Sequence, residues 1–158
     1  MNIFGRQDFA HRLSLANKSN LLGLDIGTQY TGIAIAKNIF DNPSPQPLKT
    51  LPVSPYESFV KSIREIVLKE EIGGMVIGWP MSDLQPNSFQ PYLKQQILKL
   101  SSSFPYTLFL LQDESHSSME ATSMLHGLDQ SLSTKKHLVD QVAACIILSR
   151  FLTWLEIH

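Results

Sequence analysis

The stretch Leu21 to Ala36, "LLGLDIGTQYTGIAIA", constrains the fold more than any other part of the chain. Two apolar runs of strand length flank a turn-forming "GTQYTG". Leu21–Gly27 therefore reads as a buried strand and Gly32–Lys37 as its hairpin neighbour. Asp25 sits near the end of the first run. A carboxylate there has two uses. It closes a turn, since Asp and Gly commonly end strands together, or it is held at the rim of a sheet for chemistry. Its partners elsewhere in the chain decide between the two.

The prolines of Asn42–Pro47 mark a loop, followed by a third strand near Leu48–Val53. A helix is expected next, with Ser54 as N-cap, Pro55 at the first helical position and Glu57 completing a capping box. Phe59, Val60, Ile63, Ile66 and Val67 recur at helical spacing, which turns one face to the sheet. Glycine-bounded Gly73–Pro80 reads as a strand, Pro91–Leu100 as a helix and Thr107–Gln112 as another strand. Ser117 and Glu120 form a second capping-box pattern. Lys136–Leu155 carries the stripe of a final helix, with Arg150 at its edge. Short links make the first three strands antiparallel, and helical crossovers make the later ones parallel. The expected fold is α/β, a five-stranded mixed sheet flanked by helices on both faces. Residues 1–20 are set apart as an N-terminal extension and 21–158 as the domain.

With 43% hydrophobic and 17% charged residues, the chain has the make-up of a soluble globular protein. Its formal net charge of -1 lacks the basic surplus that marks many nucleic-acid binders. A site that holds phosphate through metal ions needs no such surplus. The lone cysteine, Cys145, forms no internal disulfide and reads as a small buried hydrophobe. One cysteine and five scattered histidines make no zinc cluster. The apolar run Val142–Leu148 is too short to span a membrane. The basic residues Arg6, Arg12 and Lys18 leave an organelle-targeting remnant beside a plain helical or disordered extension, so the expected location is cytoplasmic or organellar.

Four acids stand at element ends. Asp25 closes the first strand, Asp113 and Glu114 follow "TLFLLQ", and Asp140 lies in the first turn or two of the final helix beside its apolar stripe. Taken singly, each has an ordinary use in closing a turn or favouring a helix N-terminus. Crowded together they need a cation. Magnesium or manganese suits oxygen ligands, and a pair of such ions can promote phosphodiester cleavage.

Four blocks in order, "LLGLDIGTQYTGIAIA", "MVIGWPMSD", "LQDESHSSMEA" and "VDQVAACIILSRFL", resemble the YqgF (RuvX) family of Holliday-junction-resolvase-like proteins, whose fold is that of ribonuclease H. The family includes proteins assigned to maturation of pre-16S ribosomal RNA. The resemblance implies a two-ion nuclease in which Asp25, Glu114 and Asp140 are catalytic and metal-binding, with Asp113 as reserve ligand. Gly27 and Gly32 match the hairpin glycines, and Gly27, Thr28 and Tyr30 are candidates to meet a phosphate or a base. The implied partner is structured RNA or branched DNA, and the implied state a monomer or homodimer. The chain also departs from the family. Tyr30 stands where a basic residue is common, and Ser115 where Arg follows the Glu. The loop after Pro80 reads "MSDLQPNS". Lys135 and Lys136 either offset the thinned positive charge at the phosphate or form a solvated helix start.

Two other readings compete with a nuclease. A scaffold on the same fold that binds nucleic acid without cutting is favoured by the missing arginines and opposed by the acids. A phosphate-loop ATP-binding protein is suggested by "LGLDIGTQYTG", but such proteins need a second domain for which this chain has no room.

Overall fold

The computed structural model describes residues 2–80, 89–115, 117–125 and 132–158, with the backbone alone for 118 and 132–135. In chain order the elements are β1 (Ile3–Phe4), α1 (Arg6–Leu15), β2 (Leu21–Ile26), β3 (Tyr30–Ala36), β4 (Gln46–Pro52), α2 (Tyr56–Lys69), β5 (Gly74–Trp79), α3 (Phe89–Ser103), β6 (Leu108–Asp113), α4 (Ser117–Met124) and α5 (Leu132–Ile157). They build one sheet in the order β1-β6-β5-β2-β3-β4. β2, β3 and β4 are antiparallel neighbours. β5 joins β2, and β6 joins β5, in parallel. This is the mixed α/β arrangement that the link lengths dictate.

The sheet has six strands, not the expected five. The sixth is β1, which pairs in parallel with β6 and comes from the segment set apart as an extension. Two residues carry no periodicity to read, and their placement rests on tertiary hydrogen bonds. Asn2 Nδ2 donates to the carbonyl oxygens of Ser101, Phe104 and Thr107 at 3.2, 2.9 and 2.9 Å. α1 then buries Phe9 and Leu13 completely, with Phe9 edge-on to Phe151 of α5.

Strand alternation divides the core in two. Leu22, Leu24, Ile33, Ile35, Met75, Ile77 and Phe109 face α2 and α3. Leu21, Ala34, Ala36, Val76 and Leu110 face α1 and α5. The second face is built from smaller side chains, which lets α5 lie close across it. α5 is long and apolar enough to cross a membrane by length and composition. In this fold Ala144, Ile147, Leu148 and Phe151 of α5 are instead buried against the sheet.

Two caps differ from expectation. α2 starts at Tyr56 with Pro55 as N-cap and no side-chain cap, because Ser54 lies one residue too early to reach the first turn. Ser117 is already helical, and the Glu120 carboxylate pairs with Arg150 instead of closing a box.

Candidate active site

Asp25 shares the α5 face of β2 with Leu21 and Gly23, because side chains alternate along a strand. Its ladder partner on β3 is Gly32. A Cβ at Gly32 would run into the Asp140 carbonyl and stand 2.7 Å from the Asp140 Cβ. The bare glycine therefore lets α5 descend onto β3 at the one place that brings Asp140 beside Asp25. α5 begins at Leu132, so Asp140 is its ninth residue and lies beyond the reach of the helix dipole's positive end. The expected position in the first turn or two is corrected accordingly, and a helix-end explanation for this acid falls with it.

Glu114 follows β6 directly, and its N–H donates to the Trp79 carbonyl at 3.1 Å, prolonging the β5–β6 ladder. Opposite stands Gly78, where a Cβ would come 2.7 Å from Glu114 Oε2. Glycine thus makes room for the Glu114 side chain to fold back over the sheet, where it hydrogen-bonds Asp25.

The electrostatics are those of crowded acids. Burial, then the Glu114 and Asp140 charges, hold the Asp25 carboxyl well above the usual carboxylate range. Glu114 is raised chiefly by burial, with the Asp113 charge adding and Arg150 opposing. Asp140 is raised by burial, offset in part by Lys136 and His137. The hydrogen bond raises Asp25 and lowers Glu114. Burial and mutual repulsion thus favour retention of a proton within the Asp25–Glu114 pair. No three His, Cys, Asp or Glu side chains among the described residues are grouped as a ready-formed metal cage. The acids are gathered, with Asp25 and Glu114 bonded to each other.

Asp113 is placed differently. Its Oδ1 accepts from the Ser115 N–H at 3.0 Å and the Ser115 hydroxyl at 2.7 Å, so it braces the turn after β6 while Glu114 faces Asp25. Gly27 donates to the Tyr30 carbonyl at 2.8 Å, closing the hairpin, and Thr28 is exposed at its tip. Lys136 is exposed on α5. The Lys135 side chain and residues 81–88 lie outside the described residues.

Three residues here were not singled out as site groups from sequence. Tyr92 of α3 donates its hydroxyl to the Gly27 carbonyl at 3.1 Å and anchors the hairpin. His137 lies against Tyr30 with ring centroids 4.9 Å apart. Arg150 donates from Nη1 to the Asp113 carbonyl at 3.1 Å, and from Nη2 to the Ser115 carbonyl and Glu120 Oε1 at 2.8 Å each. Only Arg150 left a sequence signal, as a cation at the edge of an apolar stripe.

The Chlorobaculum tepidum protein named "Putative pre-16S rRNA nuclease" is 30% identical to the chain over 143 residues, covering 89% of this chain and 97% of that protein. One of the same name from Geobacillus sp. strain WCH70 is 30% identical over 134 residues, covering 84% and 96%. Among solved structures, T. thermophilus RuvC in complex with a Holliday junction substrate aligns over 84% of this chain and 95% of its own, with a TM-score of 0.50 at 8% identity, a likeness of fold alone. The family model described as "RuvX: Holliday junction resolvase" matches residues 19–154. From Asp25 on β2 to Asp140 on α5, the whole carboxylate cluster lies within that match, and the chain belongs to the RuvX family.

Proposed function

We propose that the protein is a divalent-metal-dependent nuclease that hydrolyses phosphodiester bonds of structured RNA, with a ribosomal RNA precursor as substrate. The observation that carries this reading is the half-buried carboxylate cluster in which Asp140, seated on Gly32, and Glu114, folded over Gly78, meet Asp25. Three half-buried acids held above their ordinary range are a costly arrangement for a scaffold and a fitting one for a hard cation. The donor set is all oxygen, which suits magnesium or manganese over zinc. Asp25, Glu114 and Asp140 would hold the metal, their negative charges offsetting most of the charge of divalent cations there. When bound, such ions supply Lewis-acid polarisation of the phosphate and a nucleophilic water at neutral pH.

The chain's own part is geometric. β2 fixes Asp25 on a strand, where it stands as the acid that the other two approach. Glu114 and Asp140 approach it from β6 and α5, one on each side. Asp25 and Glu114 would both have to be ionised to ligate, and the partial exposure of the cluster gives a proton held there a way out to solvent. α5, seated on Gly32, walls the site from behind, so substrate enters from the hairpin side, where Thr28, Tyr30 and Lys136 stand. The names of the relatives favour the RNA reading over branched DNA.

Labelled precursor-type structured RNA and a four-way DNA junction, each incubated with manganese, magnesium or chelator, provide the test. Metal-dependent cutting of the RNA is expected, abolished in Asp25→Asn. If wild-type protein binds neither ion, cuts neither substrate, and binds nucleic acid as well as Asp25→Asn does, the non-cutting scaffold is the better reading.

A further inference from the structure

We infer that Tyr30 and His137 form a stacking ledge for one unpaired base of the strand being cut. The inference rests on the nuclease reading above and adds a substrate class to it. Tyr30 is the first residue of β3. It lies two residues before Gly32, so both project toward α5. Asp140 meets Gly32, and His137 lies three residues before Asp140, on the neighbouring turn of the same helix face. The contact that gathers the carboxylates thus also sets His137 over Tyr30, with centroids 4.9 Å apart and planes 54° apart.

Two strand residues span about 7 Å, so the rings stand roughly one nucleotide from the carboxylates. Both side chains are half-exposed, and their tilt leaves neither ring lying flat over the other's face. The scaffold under them is fixed. Thr50 of β4 donates its hydroxyl to the His137 carbonyl at 3.1 Å and accepts from Gln141 Nε2 at 3.0 Å. An aromatic face takes any base without reading its sequence. It can take one only when that base is out of a duplex stack. The substrate class is therefore nucleic acid unpaired beside the scissile phosphate, in a loop, a frayed end or a branch point, and not continuous duplex.

The test uses a structured RNA that the wild-type protein cuts in manganese, with abasic nucleotides walked over three positions on either side of the cut. At one position the abasic substrate should raise KM about tenfold for wild type, in the range set by base–aromatic stacking. Tyr30→Ala should raise KM by a similar factor on intact RNA and show no further abasic penalty at that position. Tyr30→Phe, which keeps the ring, should keep that penalty. The inference is overturned if the two losses multiply in Tyr30→Ala, if no position matters in wild type, or if Tyr30→Phe behaves like Tyr30→Ala. Cutting that persists with a flat abasic scan sinks this inference alone. A wild-type protein that cuts no nucleic acid with either metal sinks the nuclease reading with it.

Discussion

The Arg150 guanidinium lies against Ser115, its Nη2 2.8 Å from the Ser115 carbonyl oxygen. Ser115 is the position after Glu114 at which the family resemblance leads one to expect an arginine. The positive group is supplied from α5 instead. It grips the turn on both sides of Glu114, through the Asp113 and Ser115 carbonyls, and pairs with Glu120. A cation that looks lost along the sequence is thus restored in space, as a brace for the turn.

Arg150→Ala should cost about 1–2 kcal/mol in urea unfolding, since charge-assisted bonds to two carbonyls are lost at a part-exposed site. Cleavage should fall about tenfold as Glu114 loses its fixed turn. Glu120→Ala removes only the exposed half of the ion pair and should cost at most about 0.5 kcal/mol. Equal losses in the two variants would show that the ion pair, and not the grip on the turn, is what matters.

Asp25→Asn keeps the side chain's shape and removes its charge. Cleavage should fall by more than the roughly 10–100-fold typical of losing an outer-shell partner. In metal-free buffer at neutral pH the melting temperature should stay level or rise, because acid crowding is relieved. A clear drop in melting temperature would mean that the shared proton bond stabilises the fold more than the crowding opposes it.

The raised carboxyls fix the sign of a pH effect. Asp25, Glu114 and Asp140 hold protons in the folded chain that the unfolded chain releases near pH 4. Folded protein therefore binds more protons than unfolded protein above that point, and stability without metal should fall as pH rises from about 4 through the raised values. Magnesium or manganese should flatten the fall, and Asp25→Asn should make it shallower. Below about pH 4, protonation of Glu70, held low by Lys37, adds an opposite, acid-side loss. Melting temperature measured from about pH 2.5 to 8 with chelator and with metal reads all of these.

Gly32→Ala should be among the most damaging of small substitutions. The new methyl meets the Asp140 backbone, which cannot turn aside as a flexible side chain would. A cost of about 3 kcal/mol, or failure to fold, is expected together with loss of cleavage, since α5 must lift from the sheet. Gly5→Ala meets nothing within 4 Å and serves as the control. A Gly32→Ala protein with wild-type urea midpoint and activity would disprove the close seating of α5.

Much of the site was legible because two of its acids, Asp25 and Glu114, sit at strand ends that local pattern reveals. Asp25 ends an apolar run before Gly27, and Glu114 follows the last apolar run. Asp140 was legible as an acid beside an apolar stripe, but its depth in α5 was not. The turns of α5 before Lys136 are too polar to show a stripe, so the helix start was read late. The roles of Gly32 and Gly78 were not legible at all beyond turn and strand punctuation. Their use is to admit Asp140 and Glu114, and that is a fact about what lies opposite.

By itself the sequence determined the order and type of the elements from β2 onward, and with them the antiparallel start and parallel continuation of the sheet. Apolar periodicity and link length are local properties, and strand pairing follows from them. It also determined which acids were available. Only the tertiary structure decided that β1 would complete the sheet, that Arg150 would brace the Glu114 turn and that His137 would meet Tyr30. These contacts join residues 35 to more than 100 positions apart. The meeting of His137 and Tyr30 depends on where α5 lands on β3, and that is set by bare backbone at Gly32, a position whose importance no local pattern encodes.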